Sequence, residues 1–122
     1  MTLPLEEKAK LPLSVYEAIK NNLKVGLHTL ILLDIDVEHG KFLGVNEGLK
    51  LLLKLEEEYK EGIVDKHTKV VVLSMLGSSK SKIVWGKVKD LLSLSFELPA
   101  VIIIPGKLHF IERQLLEKFK LV

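Results

Sequence analysis

Apolar positions along the chain fall into two kinds of segment. In the first kind, Val15, Ala18, Ile19 and Leu23 recur three or four residues apart, which gathers them on one face of a helix starting at about Val15. Ser14 and Glu17 stand at capping-box spacing, and Gly26 is placed to end the helix. The spacing returns at Leu49, Leu52, Leu53 and Tyr59, with Asn46 as the N-cap, Gly62 as the stop, and Glu56, Glu57, Glu58 and Lys60 turned to water. It returns once more at Leu108, Ile111, Leu115 and Phe119, which predicts a final helix. The second kind lacks a period. The almost wholly apolar stretch 28–35 reads as a strand buried on both faces, 68–75 as a second buried strand and 101–104 as a further strand.

Shorter signals fill the gaps. A brief strand is expected over 41–45, and a polar turn at 77–81 returns the chain as a hairpin into 82–85. One or two helical turns are expected over 87–94, and Pro105 and Gly106 end the last strand. Residues 1–11 read as a leader and 12–122 as a single domain. Hairpins mixed with crossovers predict an α+β (α/β-like) fold, a mixed β-sheet with helices packed on it.

Composition narrows the function classes. Of 122 residues 48% are apolar and 28% charged, which excludes intrinsic disorder and leaves more apolar surface than so small a body easily hides. The net charge of +2 comes from interspersed signs, and every basic residue except Arg113 is Lys, so nucleic-acid readout is disfavoured. Apolar runs such as 30–33 and 101–104 are far short of the roughly 20 residues of a membrane span. Without cysteine there is no disulfide and no thiolate metal site, and a cytoplasmic protein is expected.

Few residues carry chemistry on their own. Asp34, Asp36 and Glu38 alternate at a strand end and could share a hard cation such as Mg²⁺, although a solvated strand end is the favoured reading and no metal is expected. Gly106-Lys107 does not complete a phosphate-binding loop, because Val101 and Leu108 stand where Gly and Ser or Thr are required. The turn Gly77-Ser78-Ser79-Lys80-Ser81 follows a buried strand and could offer amides and hydroxyls to a ligand. His28 and His109 sit at element edges, with no nucleophile tied to either by local spacing. His39 and His67 are expected on the surface, and Trp85 in the core or an interface.

Taken in order, Pro12, Ser14, Tyr16, Ile19 and Asn22, then Gly26-Leu27-His28-Thr29-Leu30 and Leu33-Asp34-Ile35, then Asn46-Glu47, Val70 to Leu73 with Gly77-Ser78, and Ile104-Pro105-Gly106-Lys107-Leu108-His109 form a series. Over roughly 12–117 it resembles the carboxy-terminal half of the diphthine synthases, the diphthamide biosynthesis methyltransferases of the tetrapyrrole-methylase superfamily. The resemblance implies the second domain of an enzyme that holds S-adenosylmethionine between two domains, works as a homodimer, and methylates a modified histidine of translation elongation factor 2. It implies cofactor contacts at Leu33, Leu76, Gly77 and Ser78. The resemblance makes Ala100 a further candidate contact, at a position where the family often has a cofactor-contacting His, and puts Met75 where many relatives carry Arg. The amino-terminal domain with its Gly-rich loop has no counterpart in these residues, so cofactor binding is expected only with that domain or a separate chain supplying it. The alternative is a non-enzymatic dimerisation or assembly module derived from this domain.

Overall fold

The computed structural model describes residues 2, 3, 13–33, 35, 36, 41–75 and 77–121, with the backbone alone at 2, 3, 35, 36, 41 and 42. The elements run β1 (Thr2–Leu3), α1 (Leu13–Lys24), β2 (Thr29–Leu33), β3 (Ile35–Asp36), β4 (Lys41–Phe42), α2 (Val45–Tyr59), β5 (Lys69–Ser74), β6 (Lys82–Lys87), α3 (Val88–Leu91), β7 (Ala100–Ile104) and α4 (Phe110–Glu117). Five strands form one sheet in the order β1-β2-β7-β5-β6, and β3 pairs with β4 apart from it. Only β1 runs parallel to its neighbour; β2, β7, β5 and β6 pair antiparallel. The sheet is therefore mixed, as expected, and Thr2–Leu3, inside the stretch read as a leader, forms its first strand.

One face of this sheet carries the core. Successive strand side chains point to opposite faces. Ile31 and Leu33 of β2, Val70 and Val72 of β5, and Ile102 and Ile104 of β7 pack on that face with Val15, Tyr16 and Ile19 of α1 and Leu49, Leu52 and Leu55 of α2. Each such side chain contributes about 1.5–3 kcal/mol when fully buried.

The expectation that 28–35 is buried on both faces is corrected. Thr29, Ile31 and Leu33 are buried, but Leu30 and Leu32 are 49% and 46% exposed. Among the described residues α4 alone crosses the second face, over Val71, Leu73, Ile83 and Ile103, and its eight residues, about 12 Å long, do not cover β2. No residue of α4 is fully buried, and Ile111 and Leu115, expected on its apolar side, are 76% and 55% exposed.

Helix ends also depart from the expected pattern. α1 starts at Leu13, so Ser14 lies inside the first turn with an exposed side chain and is not the cap. α2 is capped at Gly44, not Asn46: Gly44 is extended, and Glu47, three residues on, accepts its amide at 3.3 Å. Asn46 falls within the helix, with its buried Oδ1 lacking a partner among the described residues.

The carboxyl end of α2 is reached before Gly62, at Lys60, which takes the left-handed conformation (φ 52°). Glu56, expected to face water, turns inward there. Its carboxylate accepts from the amides of Gly62 and Val64 at 3.0 Å and from that of Ile63, and from the Tyr16 hydroxyl at 3.1 Å. That hydroxyl accepts in turn from the amide of Glu61 at 3.0 Å, which fastens α1 to the end of α2.

After α4 the chain folds back on the sheet edge. The Trp85 amide donates to the Phe119 carbonyl at 2.9 Å and the Leu121 amide to the Trp85 carbonyl at 2.8 Å, so the tail bridges β6 beside a Trp85 that is 3% exposed. Among the described residues no helix is long and apolar enough to cross a membrane.

Candidate functional site

The antiparallel register decides which loops meet. β2 and β5 both run antiparallel to β7, with Leu32 and Leu73 each opposite Val101, and Ser74 opposite Ala100. The carboxyl ends of β2 and β5 therefore lie beside the start of β7. Leu33, Ala100 and the turn after Ser74 share one end of the sheet, although they are far apart in sequence. Ligands of open sheets gather at such strand ends.

Local bonds shape this end. The Ser74 hydroxyl donates to the Glu97 carbonyl, and the Met75 amide donates to the Pro99 carbonyl at 2.9 Å, so the exit of β5 is fixed to the approach of β7. Met75 takes a left-handed conformation at φ 53°, one that non-glycine residues adopt at a penalty and that clusters at functional turns. Gly77 follows at φ 84°. Ser78 donates its amide to Met75 at 3.1 Å and accepts the Lys80 amide on its hydroxyl at 3.0 Å, closing the turn locally. Leu33 and Ala100 are each 8% exposed, while Gly77 and Ser78 are open to solvent. Leu33 and Ala100 belong to the packed core at this end, and the turn is the part of it that faces solvent.

Leu76, Asp34, Glu38 and His39 lie outside the described residues, and of Asp36 only the backbone is described. Met75 carried no sequence signal for its conformation, since a left-handed turn ordinarily announces itself as Gly or Asn.

His28 and His109 belong to the opposite end. β2 separates the two ends by about 13 Å. There the His28 Nδ1 accepts the Gly106 amide at 2.8 Å, which leaves Nε2 to carry the proton and donate to Glu112 at 2.8 Å. The other Glu112 oxygen accepts the His109 amide at 2.9 Å. Those two bonds, the backbone one first, lower the Glu112 pKa below the ordinary carboxylate value. Gly106 is required by close approach, because a Cβ there would stand 2.8 Å from the Gly26 carbonyl carbon. The Lys107 amide completes the junction by donating to the Gly26 carbonyl at 3.1 Å. Glu112 escaped the sequence reading, although the spacing from His109 is that of a capping pair. His67 is exposed and Trp85 buried, as expected.

No protein-family model matches the chain. The chain is 50% identical over 114 residues to a diphthine synthase of Methanocaldococcus jannaschii, covering 91% of this chain and 44% of that protein. It is 47% identical over 107 residues to one of Methanococcus maripaludis, covering 87% and 42%. A solved structure assigned to a diphthine synthase of Entamoeba histolytica superposes with a TM-score of 0.91 at 34% identity, over 99% of this chain and 50% of that one. Another diphthine synthase structure, at 23% identity and a TM-score of 0.75, shares the fold over 98% of this chain and 43% of its own. The chain spans about half the length of the relatives it matches.

Proposed function

On the premise that the chain resembles the carboxy-terminal part of the diphthine synthases in both sequence and fold, we propose that it supplies one wall of an S-adenosylmethionine cleft. The whole assembly methylates the modified histidine of elongation factor 2 in diphthamide biosynthesis. An amino-terminal domain, in a longer chain or a separate one, supplies the other wall, and the complete enzyme is a homodimer.

The observation that supports this reading is the convergence of Leu33, Ala100, Gly77 and Ser78 on one sheet end through the register of β2, β5 and β7. The bound cofactor brings an electrophilic methyl group on a sulfonium. This chain's part is to hold and orient: Leu33 and Ala100 form an apolar floor, and the Gly77-Ser78 turn presents backbone and hydroxyl groups at its edge. Leu76 contributes as the residue entering that turn. Fixing one reactant against another is worth several powers of ten in rate, so a wall without proton chemistry of its own suffices.

Calorimetry tests this on the chain alone and mixed with the amino-terminal domain of the M. jannaschii relative. Binding of S-adenosylmethionine is expected only in the mixture. Tight binding by the lone chain, or none by the mixture, would count against it.

The second reading, a non-enzymatic dimerisation or assembly module, draws support from the exposed Leu30 and Leu32 and from Met75 and Ala100, where the resemblance would imply Arg and His. It predicts a dimer indifferent to the cofactor. Methylation restored by adding the first domain would sink it.

A further inference from the structure

Between α4 and the second face of the sheet lies a cavity of about 250 Å³, which runs from His28 and Pro105 at one end to Leu73 and Ile83, a pair just before the hairpin turn, at the other. Val71, Leu73, Ile83 and Ile103 form its floor, and Leu116 and Phe119 are prominent in its roof. Such walls reward apolar contact and little else.

The rim differs. His28 and Glu112 are the only ionisable side chains lining the cavity among the described residues, and no lysine or arginine joins them. Because the Gly106 amide occupies Nδ1, His28 is held as the neutral tautomer, and the formal charge of the rim is that of the Glu112 carboxylate. The carboxylate spends two acceptor positions on His28 and His109, and a carboxylate offers about four. Its side chain is 40% exposed, so further donors can reach it.

We propose that this cavity is a binding site for a small apolar amine, an aryl- or alkylammonium ion whose body fills the space under α4 and whose ammonium group donates to Glu112. Size sets the class: a cavity of about 150 Å³ accommodates benzene, so this one takes a single ring with a short chain. Charge sets the head group, since an anion of the same shape would meet the carboxylate. The site lies on the sheet face opposite Leu33 and Ala100, and the proposal does not depend on the cofactor wall.

Methyl NMR titration of the whole chain tests the site with three probes of one shape, 2-phenylethylamine, 2-phenylethanol and 3-phenylpropionate. Saturable shifts are expected at the methyls of Val71, Leu73 and Leu116. The amine is expected to bind about three- to fivefold tighter than the alcohol, as fits a half-exposed ion pair, and the carboxylate weakest. The preference should shrink at 1 M salt. Glu112→Gln should make amine and alcohol equal, and Leu116→Trp, which fills the cavity, should abolish binding of both.

No saturable shift at those methyls would overturn the proposal, and so would equal or reversed ranking in the unmodified chain. Undiminished binding in a folded Leu116→Trp variant would do the same. The probe ranking and Glu112→Gln decide the matter even where the tryptophan variant does not fold.

Discussion

Glu56 shows how a single side chain can carry the junction of two helices. Burial pushes its pKa up, but hydrogen bonds from the amides of Val64, Gly62 and Ile63 and from the Tyr16 hydroxyl outweigh that and leave it below the ordinary value of 4.5. A depressed folded-state pKa means stabilisation that is present above the unfolded value and lost as pH falls through the folded one. Urea denaturation should therefore show stability dropping below about pH 4.5, and a Glu56→Gln variant should show a flatter profile over that range. Glu56→Ala, which leaves three amides without their acceptor, should cost about 2 kcal/mol or more at pH 7. At this scale the sequence was least legible. A Glu in the run 56–58 looks like any solvated helix face, and what turns it inward is the path of residues 61–64, which no local spacing encodes.

Elements were read more surely than their ends or their exposed faces. The helices at 13–24, 45–59 and 110–117 lie where the three- and four-residue spacing put them, and the hairpin β5–β6 follows from the polar turn at 77–81. Caps went astray because Gly44 has no side chain to betray it, Glu47 doing the work expected of Asn46. A run such as Leu30 to Leu33 has no alternation to say that one face is bare. Two predictions belong here. Lys60 is exposed and left-handed at the end of α2, so Lys60→Gly should raise the unfolding free energy by about 1 kcal/mol, checked by urea titration. α4 buries none of its residues fully, so its amides should exchange with deuterium faster than those of β5 and β7, and equal protection would contradict the half-covered helix seen here.

For the whole molecule, the excess of apolar composition over what one core needs resolves into a location. One sheet face is closed by α1 and α2, while the other leaves Leu30 and Leu32 of β2 exposed, along with Ile111 and Leu115 of α4. Changing Leu30 and Leu32 together to Lys should leave the melting temperature within a few degrees and shift sedimentation toward a monomer; a large loss of stability would mean those side chains support the fold itself. The candidate site was legible only as a set of names, since nothing in the order of Leu33, Gly77 and Ala100 reveals that two antiparallel pairings bring them to one edge. The tail that folds back on β6 has an optical consequence. Trp85 is the one tryptophan of the chain, its buried indole nitrogen has no hydrogen-bond partner among the described residues, and its backbone holds Phe119 and Leu121. Its fluorescence, blue while the tail is seated and red-shifted once water reaches the ring, gives the protein a built-in reporter of the closure of its own sheet edge.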